Sequence, residues 1–301
     1  MPRLGLCCGF MEQPIKFRHT TVRHTSTLSP SARLQFLNEI ALHNARSLAE
    51  AIRWCSDNGI GAFRVLSQIL PLYTHPAVGW SLDDETGVGV RAALEQVRRP
   101  GVRLSFHPDQ FVVPGSLTAA TVAASLAELE YMGEVAELIG AEQLTIHGGG
   151  AQGGKRAALD RLAQGLAALS PRARRRIVLE NDDRTYTVED LLPLCERLGI
   201  PLVYDVHHHR CNPDSLSIER ATELAAETWG DREPWAHLSS PALGWDGGDA
   251  RPHADYISVS DIPAFWRERE MTIDIEAKAK ELAVLRVQKA LARKPRSKRV
   301  A

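Results

Sequence analysis

The sequence has no long apolar run, no CxxC pair and no surplus of charge of either sign, and each absence removes a class of protein. No stretch approaches the ~20 continuous apolar residues that a bilayer span needs. The opening Met1-Pro2-Arg3-Leu4 lacks the apolar core of a signal peptide. A soluble, cytoplasmic chain without membrane contact is the expectation. The five cysteines (Cys7, Cys8, Cys55, Cys195 and Cys211) form neither a zinc spacing nor a disulfide framework, so they read as reduced thiols. A formal net charge of −1 gives no global sign of a nucleic-acid binder, although the placement of charge matters more than its sum. No GxGxxG turn follows an early strand, which argues against an open, doubly wound, dinucleotide-binding sheet.

What is present is a cadence. The 301 residues, 44% hydrophobic and 24% charged, are enough to bury a large core. Short apolar runs predict strands at Arg3–Cys8, Ala62–Leu66, Val102–Phe106, Gln143–Ile146, Arg176–Leu179, Pro201–Tyr204, Trp235–His237 and Met271–Ile275. Amphipathic stretches between them predict helices at Ser31–Asn58, Glu85–Arg98, Ala119–Ile139, Lys155–Leu169, Val188–Leu198, Ser217–Thr228 and Ile262–Arg269. Ser31 and Thr187 suit N-caps, and Gly59, Gly140 and Gly199 suit helix ends. Alternating strands and helices of this number predict an α/β protein, a closed (β/α)8 TIM barrel over residues 1–290. Residues 291–301 change character: Arg293, Lys294, Arg296, Lys298 and Arg299 crowd around Pro295 and Ser297. They read as a disordered basic tail, either aiding polyanion binding or simply solvated. Gly148-Gly149-Gly150, after the fourth strand, reads equally as a tight turn or a phosphate cradle.

The residues just beyond the strands carry the chemistry. His107 follows the third strand, His147 the fourth, Glu180 the fifth and Asp205 the sixth; His237 ends the seventh and Glu276 follows the eighth. In a barrel these positions converge on one mouth, the C-terminal face. A single strand-end histidine is usually a hydrogen-bonded structural residue. Six successive strands ending this way are hard to explain by packing, because unpaired buried acids and imidazoles cost several kcal/mol each. Divalent cations resolve the problem, since imidazole and carboxylate are their natural ligands. More than four ligands implies more than one metal. Within His207-His208-His209, spacing alone does not say which ring faces the metal. Cys211 lies close enough to be weighed as a ligand, although the histidines are preferred. Two metals about 3.5–4 Å apart activate water and stabilise a leaving oxygen, which suits phosphodiester hydrolysis. The rival in the same fold is a metal-dependent sugar isomerase or epimerase, whose sites lean more on carboxylates. A metal-bound DNA-binding module without catalysis is a third reading, against which the full ligand set argues.

These residues sit in blocks that run along nearly the whole chain. They are Arg3-Leu4-Gly5, Phe63-Arg64-Val65, Leu70-Pro71, Thr74-His75-Pro76, His107-Pro108-Asp109-Gln110-Phe111, His147-Gly148-Gly149 and Leu179-Glu180-Asn181-Asp182. They continue as Tyr204-Asp205-Val206-His207-His208, His237-Leu238-Ser239-Ser240, His253-Ala254 and Glu276-Ala277-Lys278-Ala279-Lys280-Glu281. In these blocks the chain resembles the UV damage endonuclease family (UvdE/UvsE), whose xylose isomerase-like barrel is related to that of endonuclease IV. The resemblance implies a DNA-repair endonuclease that nicks lesion-bearing double-stranded DNA immediately 5′ to UV photoproducts, with manganese as the usual metal; a monomer is the default expectation for a barrel of this size.

Carried over, His107 and His147 would hold one metal, and Glu180 would bridge to a second completed by Asp205, His237 and Glu276. His208 and His253 would hold a third, and His75 matches a further family histidine. Glu180, His237 and Glu276 are assigned to catalysis. Gln110-Phe111 occupies the place of a Gln-aromatic pair inserted into the helix beside the lesion; without the family, Phe111 reads as core. Lys16, Arg18, Lys278 and Lys280 are candidates for phosphate contact, or ordinary surface charge. Two departures stand out: Trp235 occupies a position where some members carry lysine, and Leu6 one where some carry tyrosine.

Overall fold

The structure, a computed structural model, describes residues 1–292 apart from Gly79 and Thr86. Eight parallel strands close into a barrel in chain order: β1 (Arg3–Cys7), β2 (Ala62–Val65), β3 (Arg103–Phe106), β4 (Gln143–His147), β5 (Ile177–Glu180), β6 (Leu202–Asp205), β7 (Trp235–Leu238) and β8 (Thr272–Ile275). The seam is the β1–β8 pair, with Arg3 opposite Thr272 and Gly5 opposite Asp274. Strands buried on both faces, as parallel barrel strands are, read as continuous apolar runs rather than alternations.

Among the described residues, ten α-helices connect or cover these strands: α1 (Val22–Thr25), α2 (Pro30–Asp57), α3 (Val88–Glu95), α4 (Ala119–Ile139), α5 (Lys155–Ala167), α6 (Pro171–Arg174), α7 (Val188–Leu198), α8 (Val206–Cys211), α9 (Ile218–Glu227) and α10 (Lys280–Ala292). The N-cap of α2 is Ser29, not Ser31: its Oγ accepts from the Ala32 N–H, and Pro30 takes the first helical position, where a missing N–H costs nothing. Thr187 caps α7 as expected and forms a reciprocal capping box with Asp190. Gly140 and Gly199 end their helices in the left-handed conformation, and left-handed Gly59 follows the cap Asn58.

Three expectations need correcting. The helix expected over Glu85–Arg98 is only Val88–Glu95, because the chain before it is in turns, with Gly87 N–H donating to Asp84 O. No α-helix forms over Ile262–Arg269; 3-10 turns stand at Val259–Asp261 and Ala264–Glu268. Pro263 removes one N–H, and the buried Trp266 is pinned by its indole N–H to Thr222 Oγ1. Helix α10, which the apolar spacing did not predict, includes Leu291 and Ala292, the first two residues of the expected tail. Its basic residues from Arg293 onward lie outside the described residues.

Inside the barrel the side chains stack in layers. Ala62, Val178, Val203 and Trp235 pack with Trp229 in an apolar cluster separate from the main core. Two residues further along the same four strands stand Arg64, Glu180, Asp205 and His237. Because side chains alternate along a strand, both sets face inward, and the apolar set forms a floor beneath the polar one. Trp235 thus has a packing role, and the Arg103 guanidinium covers its ring, 4.3 Å from the centroid. Leu6, one residue out of phase, is fully buried in the main core.

Candidate metal centre

The mouth of the barrel gathers the strand-end residues because register puts them level. His147 pairs with Glu180 across β4–β5, and Asp205 with His237 across β6–β7. Two groups of donor atoms result, each within 4.8 Å: His107, His147 and Glu180; and Glu180, Asp205, His237 and Glu276. Glu180 belongs to both. Its Oε2 lies 2.7 Å from His107 Nε2 and 3.7 Å from His147 Nε2, while Oε1 lies 2.7 Å from His237 Nδ1.

Local structure aims these groups. Asn181 clamps β5 to β6, its side chain donating to Asp205 O and accepting from Asp205 N–H, both at 2.9 Å. Asp205 then caps α8 through Oδ1, which accepts from His208 N–H at 2.8 Å. The short helix resolves the three adjacent histidines. His208 turns toward the cluster, with Nδ1 2.9 Å from Asn181 O and 3.5 Å from Glu180 Oε1. His209 turns away to Tyr204 Oη at 2.6 Å and Asp214 at 3.2 Å. His207 is buried between Trp245 and His253.

The residues fit a divalent cation. Asp205 Oδ2 and His147 Nδ1 are buried without a hydrogen-bond partner, a costly state unless another ligand completes it. The donor set is imidazole and carboxylate throughout. Cys211 joins neither group, and burial pushes its thiol up to about 11.

The electrostatics agree. Burial would raise the Glu180 carboxyl, yet His237, His147 and His107 hold it well below the usual range. Burial would likewise raise Glu276, which Arg64 and His237 hold down. Burial lowers His147. Burial would also lower His208, but Asp205, Glu180 and Glu276 push it up to about 9. The ionised acids are the metal-ready forms; a protonated His208 would have to release its proton.

His253 sits at the rim, Nδ1 3.6 Å from Glu276 Oε2, outside both donor groups. His75 is not brought to them either. Its Nδ1 accepts from the Ala77 N–H, and it lines a neighbouring cavity with Tyr73 and Glu128. Gln110 is exposed and Phe111 is 75% exposed, so the core reading of Phe111 fails. Lys16, Arg18 and Lys278 are exposed, and Lys280 is half-buried. The loop carrying Lys16 is held by the buried Glu281, which accepts from the N–H groups of Met11, Glu12 and Gln13.

Beside the donor groups opens a cavity of about 450 Å³, lined by Gln110, His147, Arg184, His208, Arg251 and His253 among others. Two glycines after β4 are required by the local structure: a Cβ at Gly148 would lie 2.4 Å from the Tyr186 ring, and Gly149, on the cavity wall, has φ +79°.

Sequence reasoning missed two site residues, Arg64 and Asp274. Arg64 Nη1 lies 2.6 Å from Glu276 and Nε 3.1 Å from Asp274. Neither looks like a ligand at a strand end, since Asp274 lies within β8 and Arg64 within β2. The alternation of inward side chains is a signal that could have found both, and the block Phe63-Arg64-Val65 already carried Arg64.

The family model for UV-endonuclease UvdE matches residues 2–301. The chain belongs to the UvdE family. It is 34% identical over 279 residues to a UV DNA damage endonuclease of Bacillus velezensis, covering 89% of this chain and 86% of that protein. It is 29% identical over 296 residues to one of Nostoc sp., covering 94% and 88%. Among solved structures, SacUVDE superimposes with TM-score 0.85 at 28% identity, covering 97% of this chain and 98% of that one. Endonuclease IV from Thermus thermophilus, at 16% identity, TM-score 0.61 and coverages of 96% and 98%, shares the fold. Within the family, the ligand-type residues of the barrel mouth stand together here while Trp235 lies in the apolar floor. Among the described residues, no helix is long and apolar enough to cross a membrane.

Proposed function

We propose that this chain is a metal-dependent DNA-repair endonuclease that hydrolyses the phosphodiester immediately 5′ to UV photoproducts in double-stranded DNA. The observation that carries this reading is Glu180, shared between two donor groups at the mouth of a UvdE-family barrel. Bound divalent ions, manganese in this reading, would supply activation of water and stabilisation of the departing 3′ oxygen.

The chain's own residues hold and surround that chemistry. His107 and His147 serve one side of Glu180, and Asp205, His237 and Glu276 serve the other. His208 and His253 offer a third position at the rim. The raised His208 gives up its proton on loading. The adjoining cavity accepts a poorly stacked lesion extruded from the duplex, and the exposed Gln110-Phe111 fills the gap it leaves. Lys16, Arg18, Lys278 and Lys280 meet the phosphates, locally offsetting the neutral overall charge. The chain acts as a monomer inside the cell. The sugar isomerase reading rests on fold alone, and the exposed Phe111 has no part in it.

Nicking of supercoiled plasmid tests the proposal. UV-irradiated plasmid with Mn²⁺ should be nicked to give 3′-hydroxyl and 5′-phosphate ends, whereas EDTA or omission of irradiation should protect it. Irradiated plasmid that stays supercoiled with Mn²⁺ would refute the reading.

A further inference from the structure

Arg64 faces the barrel interior from β2, and its buried guanidinium directs three nitrogens at the metal centre and its support. Nε lies 3.1 Å from Asp274 Oδ2, Nη1 2.6 Å from Glu276 Oε1, and Nη2 2.8 Å from His237 Nε2. Glu276 Oε1 is also the oxygen 3.4 Å from His237 Nδ1, so it lies on the side where the donor group converges. Asp274 presses into the same space, its Oδ1 buried without a partner. Only glycine fits opposite it: a Cβ at Gly5 would lie 2.0 Å from that oxygen.

Resting on the metal-centre reading above, we propose that Arg64 is a resident cation: it keeps the acid cluster stable before metal arrives and weakens metal binding once it does. Glu180, Asp205 and Asp274 are fully buried, with Glu276 beside them. So many carboxylates cannot share a desolvated space without a compensating charge. A guanidinium cannot be deprotonated, so it supplies one fixed positive charge at every pH. The same fixed charge repels an entering divalent ion and already occupies an oxygen of one of its ligands. Apo stability and metal affinity are therefore opposed through one side chain. Asp274, which neutralises Arg64 from the far side, tunes affinity in the opposite direction.

Titration calorimetry of the EDTA-stripped full chain with MnCl₂, paired with thermal unfolding of stripped and loaded protein, tests this. Arg64→Met should lower the unfolding temperature of stripped protein well beyond that of loaded protein, and tighten Mn²⁺ binding about tenfold or more. Asp274→Asn should weaken Mn²⁺ binding about fivefold, and Arg64→Lys should stay near the wild-type affinity. A merely structural ion pair would move stripped and loaded stabilities equally and leave affinity unchanged, which overturns the proposal. Weaker Mn²⁺ binding by Arg64→Met overturns it too, by making Arg64 an orienting group rather than a competing charge. If Arg64→Met fails to fold in either state, Asp274→Asn decides: unchanged or tighter binding refutes the proposal. Absence of Mn²⁺ binding by the wild type would instead refute the metal reading itself.

Discussion

Two layers of the same four strands differ in almost every respect. The floor made by Ala62, Val178, Val203, Trp229 and Trp235 is a buried apolar cluster. The mouth, two residues on, holds Arg64, Glu180, Asp205 and His237, buried as deeply but polar throughout. One strand period separates a layer that stabilises by burial from one whose buried charges need partners.

Breaking the mouth should have the largest effect. Glu180→Gln should reduce nicking of irradiated plasmid by roughly 10³-fold or more, the scale expected when a site's electrostatic centre is lost. Circular dichroism should still show a folded barrel, and retained activity would refute the shared-ligand role. Breaking the floor should do the reverse. Trp235→Ala should cost about 3–5 kcal/mol of stability in urea unfolding, with little change in activity per folded molecule. A loss of activity without loss of stability would mean the layers are not separable.

A smaller effect is expected beyond the mouth. Phe111→Ala should lower the preference for irradiated over untreated DNA by about tenfold, a scale set by base–aromatic stacking. Stability should move within about 0.5 kcal/mol, as at other exposed sites; equal losses of binding on both DNAs would count against insertion beside the lesion. The smallest effect is pH-dependent. His208, held near 9 in the metal-free site, stabilises the stripped protein fully below its unfolded value near 6.5. That contribution is lost as pH rises toward 9. Thermal unfolding of stripped protein should show this decline between about pH 6.5 and 9, whereas Mn²⁺-loaded protein, with His208 already neutral, should not. A flat profile in the stripped protein would exclude His208 as the protonated group.

Much of the mouth was legible because strand ends are marked twice, by an apolar run and by the polar residue that breaks it. His107, His147, Glu180, Asp205, His237 and Glu276 all carried that mark. His75 and His253 stand in loops after the second and seventh strands rather than at strand ends, and the structure leaves both outside the two donor groups. The segment Ile262–Arg269 misled because its apolar residues follow a helical spacing while Pro263 and the anchored Trp266 enforce tighter turns. Helix α10 went unread although it packs against the β1 side of the seam.

By itself the sequence determined the barrel, since eight apolar runs spaced by amphipathic helices have one economical closure, and it marked which strand-end residues are of a type that could hold cations. Only the tertiary structure decided which of three adjacent histidines faces the cluster, because a six-residue helix sets their directions. It alone brought Arg64 and Asp274, 210 residues apart in sequence, into hydrogen-bond distance beside the candidate metal centre. The reason is physical. A residue's type and phase are local properties, whereas a buried charge acquires its meaning from neighbours that other strands deliver.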